Sequence, residues 1–153
     1  MYDRVLVPTD GSDAAMAAAT NALDVAKRYG ATVHVLYVVD VRMSPISTGM
    51  DREEVLDLLE LSDRHPTASV RARAEAAGVP VVEAVRLGVP HETIRAYVAE
   101  NDVDLVVMGT HGRTGLAHAL LGSVTERVLR SVDVPVLTVR SGAGPPPESD
   151  TDE

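Results

Sequence analysis

The sequence predicts an α/β fold: a doubly wound, mostly parallel five-stranded sheet with helices on both faces. Short β-branched runs alternate with longer segments of helical periodicity, as in a sheet built from crossover units. The run "LVVM" (Leu105–Met108) is apolar throughout rather than alternating, as suits a strand covered on both sides. With 153 residues, 45% of them hydrophobic, the chain can bury one sizeable core.

The elements follow in order. "RVLVPTD" (Arg4–Asp10) is an apolar run closed by turn formers, the first strand. From Ser12 the chain turns Ala-rich, with Ala15, Ala18, Ala22, Val25, Ala26 and Tyr29 at helical spacing. Ser12 or Asp13 caps its start, and Gly30 supplies the left-handed residue that ends it. "TVHVLYVVD" (Thr32–Asp40) is the second strand. Residues 40–51 lose periodicity and read as a loop, in which Met43 and Met50 either form a lid or are incidental. A helix is expected from about Arg52 to Ala77, with a break or kink at Pro66. "VPVVEAVRLG" is the third strand, and Pro90 opens a helix reaching about Glu100. "VDLVVMG", "SVTERVLRS" and "VPVLTVR" complete the pattern as strand, helix and strand. Residues 1–140 thus form one domain, and 141–153 a Pro/Gly-rich acidic tail expected to be disordered.

Composition removes several function classes. There is no Cys, which excludes disulfides and thiolate chemistry. The net charge of −9, from 23 acidic and 14 basic residues, repels a phosphate backbone and argues against general nucleic-acid binding. Nothing approaches a run of about eighteen apolar residues, so a membrane span is not expected and a cytoplasmic location is. Lys27 is the only Lys beside 13 Arg, a balance that fits either a high-salt cytoplasm or a GC-rich genome. His34, His65, His91, His111 and His118 show no metal-ligand spacing.

The stretch "GTHGRTGLAHALLGS" (Gly109–Ser123) begins where the fourth strand ends. Glycines tolerate positive φ and admit a close neighbour, so Gly109, Gly112, Gly115 and Gly122 mark either a loop shaped around something or an ordinary flexible one. The amides of Ser123, Val124 and Thr125 form the first turn of the next helix, where orphan N–H groups and the dipole attract anions. The Ser123 and Thr125 hydroxyls add donors. A P-loop is excluded because no Lys is near, and a dinucleotide fingerprint because the first turn carries only Gly11. A receiver-type domain needs a Lys after the last strand, and none follows "VPVLTVR".

The spacing Gly109-x2-Gly112-x9-Gly122-Ser123 resembles the nucleotide-binding signature of the universal stress protein family, G-x2-G-x9-G-S/T. "LVPTDGS", "GVPHETI" and "VPVLTVR" resemble the same family, and the likeness covers roughly residues 1–140. It implies strand order 3-2-1-4-5 and ATP binding with an accompanying Mg²⁺. By position, Pro8 and Thr9 line the pocket and Asp10 faces the ribose or phosphates. Val38 packs near adenine, and Met108 to Gly112, including His111, run beside the ribose and phosphates. Ser123 to Thr125 hold phosphate oxygens.

The residues also admit plainer roles. Asp10 can close a turn, Val38 and Met108 can be core, and Arg113 and His111 can each meet a phosphate or solvent. No recognisable catalytic set is present, so any ATP hydrolysis is expected to be weak. "VPVLTVR" (Val134–Arg140) reads as an edge strand without an inward charge, able to pair with a second copy in a homodimer. The family resemblance implies the same dimer. The functional expectation is a dimeric, nucleotide-dependent regulatory module of the stress response, against a nucleotide-free dimeric scaffold or a very slow ATPase.

Overall fold

The computed structural model describes residues 1–42, 51, 53, 54, 57, 66–111 and 121–141. The expected roles of Gly112, Arg113 and Gly115, the Met43 and Met50 lid, and the tail beyond Ser141 fall outside these residues. The chain runs β1 (Arg4–Pro8), α1 (Asp13–Tyr29), β2 (Thr32–Asp40), α2 (Pro66–Ala77), β3 (Val81–Gly88), α3 (Pro90–Glu100), β4 (Leu105–Gly109), α4 (Ser123–Ser131) and β5 (Val136–Val139). The strands form one sheet in the order β3-β2-β1-β4-β5. Every pairing is parallel. Among the described residues no helix is long and apolar enough to cross a membrane.

Strand side chains alternate between faces, and the core divides accordingly. Val5, Val7, Val33, Val35, Leu105 and Val107 pack with α1 and α2 on one face. Leu6, Leu36, Ala84, Val106 and Met108 pack with Ile94, Tyr97, Val98 and Val128 on the other. Both layers draw on the same β1, β2 and β4, which is why those strands are apolar on both faces.

The helix ends follow from local chemistry. The Ser12 hydroxyl accepts from the Ala15 amide and caps α1, and Gly30 closes it at φ 69°. Ala14, Ala15, Ala18, Ala19, Ala22 and Ala26 are all buried, so small side chains bring α1 close to the sheet. Tyr29 departs from the expected buried stripe: it is about half exposed and stacks edge-on against Tyr2, with ring centroids 5.3 Å apart. Of the segment read as Arg52–Ala77, the helix α2 starts only at Pro66. A proline at a helix start gives up an amide that has no intrahelical partner. Glu53, Glu54 and Asp57 are helical and exposed, and residues 58–65 are outside the described set. Pro90 occupies the first turn of α3 as expected.

His34 is buried, with Nδ1 2.8 Å from the Tyr97 hydroxyl. Burial, reinforced by nearby Arg4, holds its imidazole below the ordinary 6.5. Burial raises the Tyr97 phenol, against an opposing effect of Arg86.

Candidate functional site

In the order β3-β2-β1-β4-β5 the chain reverses direction of growth between β1 and β4. Loops leaving adjacent strands toward opposite faces part there and open a crevice beyond their carboxyl ends. A cleft of ≈ 620 Å³ occupies this position. Pro8, Thr9, Asp10, Val38, Met108, Gly109, His111, Gly122, Ser123, Val124 and Thr125 line it. Of the described residues that the sequence singled out for the site, only Thr110, inside the Met108–Gly112 run, is not among the lining, which comes from β1, β2, β4, α4 and the turns beside them.

The turn after β1 is braced by its own polar groups. The Thr9 amide donates to the Leu36 carbonyl at 2.8 Å, tying the turn to β2. Asp10 Oδ1 accepts from the Ser12 amide at 2.9 Å, and Thr9 Oγ1 accepts from the Gly11 amide at 3.2 Å. Gly11 takes φ 80°, where a side chain would be strained. Asp10 therefore closes the turn, one of the two roles expected of it, and the residue also lines the cleft. Capping of α1 belongs to Ser12.

The two described glycines of the Gly109–Ser123 stretch differ from expectation. Neither Gly109 nor Gly122 is among the positive-φ residues of the described set, which are Gly11, Gly30, Gly78 and Asp102. At Gly109 the close neighbour is the protein itself. A Cβ there would lie 2.7 Å from both the backbone carbon and the Cβ of Ala14. Gly122 has φ −58° and ψ 149°, open to any residue. Its amide donates to the Thr110 carbonyl at 2.6 Å, so the two ends of the stretch meet.

That bond sets the start of α4 beside the end of β4. The Glu126 amide donates to the Gly122 carbonyl, which begins the helical ladder. The amides of Ser123, Val124 and Thr125 precede it and belong to the orphan donors of a helix start. Thr125 is buried, and its hydroxyl donates to the Gly109 carbonyl at 2.8 Å. Its hydrogen is thus committed to the protein, a correction to its expected place among the added anion donors.

His111 follows β4 and is half-buried. Its Nδ1 lies 2.9 Å from Thr110 Oγ1, and its Nε2 is buried with no partner among the described residues.

Sequence reasoning missed the far wall. Tyr37, Val39, Asp40, Arg42, Pro90 and Ile94 also line the cleft. Arg42 grips Asp40 with two parallel bonds, Nε to Oδ1 at 3.0 Å and Nη2 to Oδ2 at 2.9 Å. The guanidinium's hydrogen bonds, with that of the Arg42 amide, hold the Asp40 carboxyl below its ordinary 3.8. The available signal was the Asp-x-Arg spacing at the end of a strand, hidden by reading residues 40–51 as featureless loop. Among the described residues no group of three His, Asp or Glu is placed to hold a metal ion.

Sheet order, parallel pairing and a switch-point cleft define a doubly wound α/β domain open at one end of its sheet. The universal stress protein family model matches residues 1–140, and the chain belongs to that family. It is similar to universal stress protein MJ0531 of Methanocaldococcus jannaschii, 39% identical over 144 residues, which cover 92% of this chain and 83% of that protein. The solved structure of MJ0577, a universal stress protein of the same organism, resembles it with a TM-score of 0.76 at 33% identity. The likeness covers 92% of this chain and 96% of that one. A universal stress protein solved in complex with cAMP is similar at TM-score 0.65 and 27% identity, covering 92% and 98% of the two chains.

Proposed function

We propose that this protein is an ATP-binding regulatory module. The nucleotide enters the switch-point cleft with Mg²⁺, and the protein acts as a homodimer in a stress response. The observation that carries the reading is the meeting of three orphan amides at the start of α4 with an apolar wall in one cleft of ≈ 620 Å³. That volume falls within the usual range for small-ligand sites, about 300–1,000 Å³.

The two ends of the cleft suit the two ends of a nucleotide. Pro8, Val38, Ile94 and Met108 offer apolar surface to a base. Ser123, Val124 and Thr125 offer N–H groups and the positive end of a helix dipole to phosphates. Magnesium is usually held by one or two carboxylates together with substrate phosphates. Asp10 is the acidic group on the β1 turn suited to that part, the phosphates supplying the remainder. The relative solved with cAMP supports an adenine nucleotide as the ligand class.

Binding rather than rapid turnover is the role assigned. Phosphoryl transfer needs an oriented nucleophile and concentrated positive charge at the transferring group. Asp10 is engaged in its turn and Arg42 in its pair with Asp40. For assembly, the segment Val134–Arg140 carries β5, an edge of the sheet, and Leu137 on it is 40% exposed. An open apolar edge of this kind favours pairing with a second copy about a two-fold axis.

Calorimetric titration of ATP with Mg²⁺ into nucleotide-stripped protein tests the reading. Micromolar binding, lost in Gly122→Val, is expected. Because the Gly122 backbone angles suit any residue, the variant tests close approach rather than strain. Absence of binding by the folded, stripped protein would leave the nucleotide-free scaffold as the better account.

A further inference from the structure

The Asp40–Arg42 pair lines the cleft but takes no part in the nucleotide reading above. The guanidinium meets both carboxylate oxygens through two parallel bonds, and the Arg42 amide adds a third bond, to Oδ1 at 3.0 Å. The Val41 amide donates to the Gly88 carbonyl at 3.3 Å, tying the same segment to the end of β3. Two parallel bonds fix the plane of the guanidinium and use only its edge, so the pair leaves the flat faces open. The Arg42 side chain is 49% exposed and that of Asp40 21%, so both keep surface for a ligand.

Charge tells against a phosphate at this place. The ionised Asp40 carboxylate offsets the charge of the guanidinium, and Glu92 in the first turn of α3 adds a further negative charge nearby. What Arg42 still offers a ligand is a flat, weakly hydrated surface, which stacks well on aromatic rings. Its neighbours on the cleft wall include the apolar Val38, Val39, Pro90 and Ile94. Because β1 lies between β2 and β4, the end of β2 sits two strand spacings, about 10 Å, from the end of β4. A nucleoside laid across β1 with its phosphates toward α4 brings its base to β2.

We propose that Arg42 stacks its guanidinium on the nucleobase of the bound nucleotide, with Asp40 as the positioning residue that holds its plane. This role rests on the nucleotide-binding reading above and adds to it a contact for the planar part of the ligand. An exposed ion pair stabilises a fold little, so variants of Arg42 melt as the parent does in the absence of ligand.

Arg42→Lys keeps the charge but has no flat face. ATP affinity with Mg²⁺ is measured by calorimetry for the parent and the variant. The expected loss is about fivefold, the scale of a cation–π contact at a partly exposed site. Asp40→Asn adds no further loss in the Arg42→Lys background, because the two residues act as one unit. The Arg42 Nε–H of the parent, bonded to Asp40, is followed by NMR through the same titration. The ring current of a purine over the guanidinium moves this proton upfield, saturating with ATP and absent with inorganic tripolyphosphate. Equal ATP affinities for the parent and Arg42→Lys would overturn the proposal. So would an Nε–H that does not move upfield at ATP saturation, or that moves equally with tripolyphosphate. A further loss from Asp40→Asn would overturn the part given to Asp40. If the parent binds no ATP at all, the nucleotide-binding reading itself fails, and this role with it.

Discussion

Gly109 at the end of β4 and Ala14 in the first turn of α1 pack in mutual contact, with room for no further atom between them. A Cβ on Gly109 would meet the Ala14 backbone carbon at 2.7 Å and its carbonyl oxygen at 2.9 Å. The first glycine of the Gly109–Ser123 stretch thus lets a helix settle on the sheet, whatever the cleft beside it holds. Gly109→Ala is expected to destabilise the fold by about 1–3 kcal/mol, as overpacking against backbone usually does. Thermal denaturation without ligand reads this as a fall of several degrees, and an unchanged midpoint would show that α1 can move aside freely.

Thr125 and Gly109 are joined by a hydrogen bond of 2.8 Å in a buried setting. Thr125→Val removes the donor at nearly constant shape, and a loss of roughly 1 kcal/mol is expected. Thr125→Ser keeps the hydroxyl and should lose less. Chemical denaturation of the ligand-free protein checks both, and equal stabilities for Val and Thr would mean that the bond contributes nothing to the fold.

At the other end of the β1 turn, Ser12 caps α1 through its hydroxyl, which accepts from the Ala15 amide at 3.2 Å. Ser12→Ala is expected to cost about 1 kcal/mol, and Ser12→Asp far less, because the carboxylate caps as well as the hydroxyl does. The same denaturation series decides it: equal losses for both variants would mean that the cap contributes little.

Acid sensitivity follows from His34. Its folded imidazole is held below 6.5, first by burial and then by Arg4. Between that value and the lower folded one, the unfolded chain binds more protons than the native state. Stability therefore falls as pH drops below about 6.5, and this contribution levels off below the folded value. His34→Gln should flatten that part of a melting-temperature profile between pH 7 and pH 5. A parallel slope in parent and variant would assign the effect to other groups.

Much of the architecture is legible in the residues, and the misses share a cause. The bounds of α4 at Ser123 and Ser131 match, and so do the Ser12 and Gly30 caps of α1, which rest on local chemistry. Strand ends were overextended where apolar residues serve a preceding helix instead. The Val79 amide bonds to Ala74 and the Val103 amide to Val98, so both residues finish helices rather than begin strands. Tyr29 fits the helical stripe in sequence yet lies against Tyr2, since periodicity cannot show where the sheet ends. The wall of the cleft between β4 and α4 is legible through its glycines and hydroxyls. The Asp40–Arg42 wall was not, since a charge pair two residues apart has no distinctive period. Nor could sequence show that Gly109 answers to Ala14, a contact between residues far apart in the chain.

The central claim is that the start of α4 receives the phosphates of a nucleotide. Amide chemical-shift mapping of the stripped protein, titrated with ATP and Mg²⁺, tests it most directly. The account predicts that the largest saturable shifts fall on Ser123, Val124 and Thr125, with smaller ones at Thr9 to Gly11. Saturable shifts confined to a surface away from the cleft, such as exposed Val82 on β3, or none at all, would contradict it.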